Sequence, residues 1–451
     1  MYIPHTAEDI REMLLRIGRG SVDDLFEPVP PDLLTSRPPD LPEGLSEEGL
    51  RRLFSSLEEC QAVGPGWVQF LGAGAYDHFI PSAVWHLLQR AEFYSAYTPY
   101  QPEISQGTLQ GIFEFQTLIC QLTGMEVANA SMYDGASSAA EAVLMAARVT
   151  RKHRVLVCET VHPEYRDVME TYCRHMPVRI EKLPAGPEGV TSLSSPGSGG
   201  SGDVACLVVQ SPNYFGCVEP VEDLKQRFLG NGGLLIHAVA EPLSLGILTP
   251  PGDLGADVAV GECQGLGIPL QYGGPYAGFF ATRRALMRNL PGRIVGETVD
   301  TRGRRGYVLT LATREQHIRR ERATSNICTN HSLCALAATL YLALVGKSGL
   351  REVACMNLSK AAYAKGKLLG VPGVRLPHSA PTFNEFVVEL PGPAEPFLDA
   401  LRREERIVAG VPLAERFPQW ENAILVCVTE RRTREEIDRL AAALERRCRK
   451  P

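Results

Sequence analysis

A loop rich in hydrogen-bonding side chains joins two predicted apolar helices, one near Val84–Ala91 and one at Leu109–Leu122. Four of its side chains could contact a ligand: Tyr97, Tyr100, Glu103 and Gln106. Phenol, carboxylate and amide groups beside stiffening prolines suit a loop that is presented to a ligand or to a neighbouring chain. The alternative is that these tyrosines only brace a surface loop. We predict the functional role.

A second segment is informative because of the lysine that it lacks. Short buried strands are predicted at Gly233–His237 and Val258–Gly261, and no lysine occurs from Gln226 to Gly346. In pyridoxal phosphate (PLP) enzymes of the aminotransferase-like class, the lysine that forms an imine with the cofactor follows such a strand. Gln264 stands in that place, and an amide cannot form an imine. The chain is therefore predicted to be unable to hold PLP covalently.

Other positions of such a site are also altered or ambiguous. His237 and Ala238 stand at the strand end where these enzymes place the carboxylate that pairs with the pyridinium nitrogen. Asn213, in a turn after another predicted strand, could contact a cofactor ring or only satisfy local backbone groups. The turn Met132–Ser138 precedes a predicted helix and could either bind a phosphate or simply start the helix. Two losses in one site indicate a vacated cofactor site.

The composition is that of a globular protein and excludes several classes of function. The chain has 451 residues, a formal net charge of −6 and a pI near 6.0. Its basic residues are scattered, which argues against a nucleic-acid surface. Arginine-rich stretches at 302–305 and 314–322 are interrupted by glycine, glutamate and apolar residues, which favours solvated or interface arginines.

Cysteine usage and the N-terminus both favour the cytoplasm. The 12 cysteines form no C-x-x-C pair and no metal-ligand spacing, so we expect buried thiols of a reducing compartment and no metal site. The N-terminal residues lead into an amphipathic helix instead of a signal peptide. The longest apolar run, Leu333 to Val345, is too short to span a membrane, and we predict a buried helix there.

The secondary-structure pattern predicts three regions. Residues 1–65 form a helical arm, whose first helix starts at Thr6 with a capping box to Asp9 and whose second starts at Ser46; the prolines between these helices are expected to exclude regular structure. Residues 66–329 alternate short strands with helices, which predicts a large α/β domain with a mostly parallel sheet; the clearest strands are Arg154–Cys158, Val204–Gln210, Gly233–His237 and Val258–Gly261. Residues 330–451 are predicted to form a small C-terminal α+β domain, with strands at Asn384–Leu390 and Ala423–Val428 and a final helix that contains Ile437 and Leu444. This plan is that of the fold type I PLP-dependent transferases.

Long motifs also carry a resemblance to a known family. They are Phe70–His78, Tyr97–Gly107, Asn129–Gly135, Tyr272–Pro275, Ala323–Thr329 and Cys427–Glu430. These stretches resemble the subunit 1 family of glycine dehydrogenase (decarboxylating), the alpha chains of the two-chain P-protein of the glycine cleavage system. The chain departs from the family at Cys263, where glycine is more common, and in a Gly/Ser-rich loop near Ser198 that looks like an insertion.

The resemblance implies an oxidoreductase that works as a heterotetramer. Glycine would lose its carboxylate as carbon dioxide, and the aminomethyl group would pass to the lipoyl arm of the H-protein. PLP would be held covalently by the partner, subunit 2. This chain would complete the partner's site with Tyr97, Tyr100, Glu103 and Gln106, while Thr324 and Asn326 would reach the region of the partner's PLP phosphate.

Two alternatives stay open at this point. The chain could be a purely structural or regulatory partner that contributes nothing to a pocket. It could also be a self-sufficient PLP aminotransferase or decarboxylase that acts as a homodimer. The missing lysine argues against the second alternative, because the nearest lysines, Lys225 and Lys347, lie outside the site.

Overall fold

The computed structural model describes residues 4–35, 37, 39–59, 61–62, 64–95, 98–194, 201–230, 232–327 and 329–449. The chain divides into two compact units, residues 1–61 and residues 62–451. The predicted boundaries at 65/66 and 329/330 stay predictions. Tyr97, and most of the Gly/Ser-rich loop that was interpreted as an insertion, lie outside the described residues.

The described residues contain these α-helices: α1 (Ala7–Arg16), α2 (Glu47–Glu59), α3 (Ser82–Leu88), α4 (Ala91–Tyr94), α5 (Gln106–Thr123), α6 (Gly135–Thr150), α7 (Pro163–Cys173), α8 (Val221–Phe228), α9 (Gln316–Arg319), α10 (Ser332–Leu369), α11 (Ala394–Glu405) and α12 (Arg434–Cys448). They also contain these strands: β1 (Val68–Gln69), β2 (Val127–Ala128), β3 (Arg154–Cys158), β4 (Arg179–Leu183), β5 (Val204–Gln210), β6 (Leu234–Val239), β7 (Val258–Glu262), β8 (Gly278–Thr282), β9 (Ile294–Val299), β10 (Arg305–Thr310), β11 (Glu385–Glu389), β12 (Ile407–Val408), β13 (Val411–Pro412) and β14 (Ala423–Cys427).

A seven-stranded sheet forms the centre of the second unit, in the order β2-β8-β7-β6-β5-β3-β4. The five strands from β7 to β4 are parallel, while β8 and β2 pair antiparallel at the other edge. Strands β3, β5 and β7 are buried throughout, and β6 is buried from its second residue on, as expected for parallel strands covered on both faces. The strands predicted at β3, β5, β6 and β7 are therefore confirmed, each within two residues at its ends.

The main hydrophobic core lies between this sheet and its helices. Strand residues such as Val208, Ile236 and Val260 are fully buried there. Helix α6 can lie close to the sheet because its buried face is built largely from alanines, including Ala139 and Ala142. The carboxyl ends of β3, β5, β6 and β7 thus lie together at one end of the parallel strands, which is the end where open α/β sheets bind ligands.

A second core belongs to the C-terminal residues. Strands β11, β14 and β13 form an antiparallel sheet, and Val388, Ile424 and Val426 from it cluster with Leu440 and Leu444 of α12. The short strand β1 pairs in parallel with β12, so the start of the unit is tied to this region. The predicted final helix and both predicted C-terminal strands are confirmed.

Within the described residues, α10 is the one helix that is both long and apolar enough to match a membrane span by length and composition. Its best 18-residue window has a mean hydropathy of 1.6, which by length and composition alone would allow a membrane span. Its backbone is non-helical at Gly346, and Ala335, Ala338 and Tyr341 are buried in the main core. These contacts pack part of the helix into the main core.

The unit at residues 1–61 contains α1, α2 and two short 3₁₀ turns. Helix α1 begins with the predicted capping box, in which the Asp9 amide donates to the Thr6 hydroxyl and the Thr6 amide donates to the Asp9 carboxylate. Helix α2 follows Ser46 as predicted. The prolines between the helices were expected to exclude regular structure, but a 3₁₀ turn at Pro31–Leu33 starts on a proline, because proline fits the first position of a helical turn.

Candidate functional site

Gln264 is the residue that we predict to stand where a PLP enzyme carries its lysine. It follows β7, and only 3% of its surface is exposed. The Tyr76 amide donates to Gln264 Oε1 at 2.7 Å, and Gln264 Nε2 donates to the carbonyls of Tyr76 at 3.0 Å and Ile268 at 2.9 Å. Because both ends of the amide are hydrogen-bonded to the backbone, Gln264 is a fixed structural element of this chain.

The start of helix α6 is also occupied by the protein itself. Asp134 caps the helix, and the Gly135 amide donates to Glu262 Oε2 at 3.0 Å. The other oxygen, Glu262 Oε1, accepts from the amides of Cys263 at 3.0 Å and Gln264 at 3.2 Å. Burial raises the pKa of Glu262 to about 8, against the opposing effect of the Gly135 amide. The Glu262 carboxyl group thus uses the backbone N–H that a cofactor phosphate would need at this helix start.

The space beside Gly135 is closed as well. A Cβ atom on Gly135 would lie 1.9 Å from the Tyr165 hydroxyl and 3.1 Å from the Gly261 backbone, so the site accepts only glycine. A phosphate there would have to displace Tyr165 and Glu262 and would lie beside Asp134. The residues present therefore do not fit PLP: the stretch at the end of β7, Glu262–Leu266, contains no lysine, and the start of α6 is already filled.

The remaining positions of the vacated site serve the protein's own structure. Asn213 Nδ2 donates to the Gly189 carbonyl at 2.8 Å and to Glu219 at 2.7 Å, and Asn213 Oδ1 accepts from the Phe215 amide at 2.9 Å. Two roles were left open for Asn213, and the structure supports the second one: its side chain forms hydrogen bonds with nearby backbone groups. Burial lowers the pKa of His237 to about 4, so its imidazole is neutral and supplies no negative charge.

Sequence reasoning missed a buried charge network next to Gln264. His78 Nε2 lies 2.8 Å from Glu241 Oε2, and His78 Nδ1 lies 2.8 Å from Glu430 Oε2. Asn384 donates to the same Glu241 oxygen and Asn357 to the same Glu430 oxygen, each at 2.9 Å. His78 and Glu430 both fell within the family motifs, but their pairing could not be read from the sequence because 352 residues separate them.

This network borders an open cleft of about 360 Å³. Its lining includes Tyr76, His78, Phe79, Trp85, Gln264 and Arg431. Glu241 follows β6 and Glu430 follows β14, so the network joins the large sheet to the C-terminal sheet at this cleft. The cleft therefore has a polar wall, and its described lining residues include no lysine that could bind PLP covalently.

The predicted loop lies elsewhere, against the β9–β10 hairpin. Gln106 is tied to that hairpin, because it accepts from the Tyr307 amide at 2.8 Å and donates to the Tyr307 carbonyl at 2.8 Å. Tyr100 is 56% exposed, and its ring centroid lies 5.1 Å from the Arg293 guanidinium carbon. Glu103 is exposed. The loop is thus anchored at Gln106 and presents Tyr100 and Glu103 at the surface.

Thr324 and Asn326 lie in a segment that is fixed to the same region. The Thr324 amide donates to the Arg314 carbonyl at 3.1 Å, and the Thr324 carbonyl accepts from Arg148 at 3.3 Å. Asn326 is exposed. Arg314 in turn donates to the carbonyls of Leu290 and Gly292, just before Arg293 in the chain. Because the Arg293 guanidinium group lies beside the Tyr100 ring, these hydrogen bonds fix Thr324 in the same region as Tyr100.

A second cleft, of about 210 Å³, opens where this loop meets the hairpin. Its lining includes Tyr100, Pro102, Arg293, Thr310, Glu315 and His317. The structure thus places Tyr100 beside charged groups that sequence reasoning did not single out. Glu315 lies within the arginine-rich stretch 314–322, and Arg293 lies outside both arginine-rich stretches.

Comparison with known proteins gives long and consistent matches. The family model described as the glycine cleavage system P-protein matches residues 1–444. A relative from Desulforamulus reducens, named probable glycine dehydrogenase (decarboxylating) subunit 1, is 51% identical over 443 residues, which cover 98% of this chain and 99% of the relative. A relative of the same name from Citrifermentans bemidjiense is 49% identical over 445 residues, 98% of each protein.

Solved structures agree with these matches. A crystal structure of glycine decarboxylase (P-protein) of the glycine cleavage system, in inhibitor-bound form, superposes with a TM-score of 0.91 at 45% identity over 99% of each chain. A NifS-like protein superposes with a TM-score of 0.63 at 14% identity, over 84% of this chain and 98% of that protein, which shows a shared fold alone. The predicted fold, the fold type I PLP-dependent transferase fold, is therefore confirmed.

Proposed function

This chain belongs to the glycine cleavage system P-protein family, and we propose that it acts as the half of the enzyme that carries no cofactor of its own. It is a subunit of glycine dehydrogenase (decarboxylating), an oxidoreductase that works as a heteromer. Under the proposal, the second subunit holds PLP covalently, and the two chains assemble as a heterotetramer. Cytoplasmic location is part of the same proposal.

The observation that carries the proposal is the filled cofactor site. Gln264, which we predict to replace the lysine, is hydrogen-bonded at both ends of its amide, and the Gly135 N–H donates to Glu262. When bound, PLP withdraws electrons from the carbon atom that loses the carboxylate. Because this chain cannot supply that chemistry, its partner must supply it for glycine to be decarboxylated.

The contribution proposed for this chain is the loop that contains Tyr97, Tyr100, Glu103 and Gln106. Gln106 is held by Tyr307, so it positions the loop, while Tyr100 and Glu103 are exposed and free to face a partner. We propose that these groups line the partner's active site, where they orient glycine and exclude water. Thr324 and Asn326 would approach the partner's PLP phosphate, with Thr324 held in place by Arg148.

The remaining partner in the proposal is the H-protein. Its lipoyl arm would enter the shared site and receive the aminomethyl group that is left after decarboxylation. In this arrangement the charge network around His78 keeps the chain's own cleft rigid, while catalysis takes place at the partner's site.

Reconstitution tests the proposal directly. The isolated chain should show no cofactor absorbance after incubation with PLP and no pyridoxyl adduct after borohydride reduction. The chain mixed with the second subunit should catalyse glycine–bicarbonate exchange, and the adduct should be found only on the second subunit. A pyridoxyl adduct between residues 226 and 346 of this chain would contradict the proposal.

A purely structural role for this chain makes a different prediction. In that case, loop variants that assemble normally would exchange glycine and bicarbonate at the wild-type rate. The loop variants described in the Discussion therefore separate the two functions.

A further inference from the structure

The loop that carries Tyr100 and Glu103 rests on the hairpin region at two points. At one end, the Gln106 side chain forms two hydrogen bonds with the Tyr307 backbone, each of 2.8 Å. Nearer the start of the loop, the Tyr100 ring centroid lies 5.1 Å from the guanidinium carbon of Arg293, which directly precedes β9. The support at Gln106 is made of hydrogen bonds, whereas the support at Tyr100 is a contact between a cation and a ring.

The Arg293 side chain is buried without the partners that a buried charge requires. Only 6% of Arg293 is exposed, and its Nη1 atom is fully buried with no hydrogen-bond partner among the described residues. Buried guanidinium groups are normally paired or hydrogen-bonded, because removing a charge from water is unfavourable. Glu315 borders the same cleft, but its ion pair is with Arg314, at 3.9 Å. For the fold alone, an aliphatic side chain of similar size would therefore serve as well as Arg293 or better.

The backbone that carries Arg293 is fixed on both sides of this residue. The Arg293 carbonyl accepts from the Ala130 amide at 2.9 Å. Two residues later, the Val295 amide donates to the Gln116 side chain at 2.9 Å, and the Val295 carbonyl accepts from it at 3.0 Å. The guanidinium group thus extends from a rigid base, while Tyr100, which is 56% exposed, belongs to the loop.

A cation that lies over an aromatic ring restricts the arrangement of the two groups. The attraction acts on the face of the ring, extends to about 6 Å from the ring centroid and is stronger when the cation is removed from water. The buried Arg293 guanidinium group, 5.1 Å from the Tyr100 ring, meets both conditions. Because Nη1 is closed off by the protein, Arg293 acts on Tyr100 and not on a ligand in the cleft.

We propose that Arg293 is a positioning residue: its guanidinium group holds the Tyr100 ring, and with it the 98–106 loop, in the orientation that the reaction at the partner's active site uses. The inference rests on the proposed function in one respect, namely that this loop lines that active site. Arg293 itself contacts neither glycine nor the cofactor. Its substitution should therefore disturb the loop and the reaction rate without disturbing the fold.

Amide hydrogen exchange on the isolated full-length chain tests the contact without an activity measurement. The amides of Tyr100, Ile104 and Ser105 donate to carbonyls within the loop, so their exchange reports its order. Arg293→Met keeps an unbranched side chain without the charge and should exchange these amides at least about tenfold faster than the wild type. Its melting temperature and its exchange in β10 should match those of Arg288→Gln, a control at an exposed arginine, and of the wild type. Equal exchange in the loop of Arg293→Met and of the wild type, or a large drop in the melting temperature of Arg293→Met, would overturn the proposal.

A double-mutant cycle on the assembled heteromer tests whether Arg293 acts through Tyr100. Arg293→Met should lower kcat for glycine–bicarbonate exchange about ten- to a hundredfold, because a misplacement of about 1 Å can have an effect of that size. The KM for glycine should stay within about threefold of the wild-type value. Tyr100→Leu should lower kcat at least as much, and Arg293→Met added to it should cause at most about a twofold further loss. Losses that multiply in the double variant would mean that Arg293 acts independently of Tyr100 and would refute the positioning role.

The single variants separate this inference from the proposed function. If Tyr100→Leu lowers the exchange rate and Arg293→Met does not, the loop serves the partner's site but Arg293 does not position it. If assembled Tyr100→Leu exchanges glycine and bicarbonate at the wild-type rate, the loop lies outside the active site, and the proposed contribution of the loop fails together with the positioning role.

Discussion

Replacing His78 by glutamine should remove most of the stability that the buried charge network provides. Burial alone would lower the pKa of His78, but the carboxylates of Glu241 and Glu430 outweigh burial and raise that pKa from 6.5 to about 10. Both ring nitrogens are 2.8 Å from a carboxylate oxygen, so both must donate and the ring is an imidazolium. Glutamine cannot carry this charge, and two carboxylates would stay buried without it.

The pKa of Glu430 gives the size of the effect. Burial would raise this pKa, but the hydrogen bond and charge of His78, together with hydrogen bonds from the Phe79 amide and Asn357, outweigh it and lower the pKa from 4.5 to about 2. That difference corresponds to about 3 kcal/mol, since one pKa unit is about 1.4 kcal/mol. Loss of one member of a buried ion pair commonly costs about 3 to 5 kcal/mol. We therefore expect His78→Gln to lower the free energy of unfolding by about 3 kcal/mol or more near pH 6.

The directions of the two pKa shifts determine how the stability should change with pH. The folded-state pKa of His78 is raised, so its contribution is complete below pH 6.5 and is lost as the pH rises toward 10. The folded-state pKa of Glu430 is lowered, so its contribution is present above pH 4.5 and is lost as the pH falls toward 2. Both contributions are present together between about pH 4.5 and 6.5.

Urea titrations between pH 5 and pH 9.5 measure this dependence. The wild type should lose stability above pH 6.5, while His78→Gln should show a much flatter profile across the same range. His86→Gln, which changes an exposed histidine of α3, is the matched control and should behave as the wild type. The assignment of a buried imidazolium is wrong if the free energy of unfolding of His78→Gln at pH 6 lies within about 1 kcal/mol of the wild-type value. It is also wrong if His78→Gln loses as much stability at alkaline pH as the wild type does.

Four further changes, in three experiments, test other parts of the chain. Tyr97→Phe and Glu103→Gln should leave assembly intact but reduce glycine–bicarbonate exchange roughly thirty- to a thousandfold, because a hydrogen bond used in the transition state contributes about 2 to 4 kcal/mol; rates within about a factor of three would exclude the loop from the active site. Removal of residues 1–63 should mainly weaken assembly with the second subunit, measured by analytical ultracentrifugation, and should lower the melting temperature of the remaining chain only slightly. Unchanged affinity would show that the arm is not an assembly element. Glu262→Ala should free the Gly135 amide but leave Tyr165 and Asp134 in place, so phosphate should raise the melting temperature of neither this variant nor the wild type; stabilisation of Glu262→Ala by phosphate would mean that Glu262 alone blocks an anion site.

Several features followed from the sequence because they depend on local pattern. The apolar runs of β3, β5 and β7 identified buried parallel strands, and the Thr6/Asp9 spacing identified a capping box, since such signals need only neighbouring residues. The missing lysine was also visible in sequence, because the absence of an amine over 226–346 does not depend on folding. Long motifs then identified the family.

The tertiary structure decided which distant groups meet. The sequence identified Gln264 as a replacement, but only the fold shows that it is hydrogen-bonded to Tyr76, which lies 188 residues earlier. The same holds for Glu262 at the start of α6, 127 residues from Gly135, and for the burial of Arg293 beside Tyr100. Charge pairing and burial are properties of the space around a side chain, and residue type and spacing along the chain do not define that space.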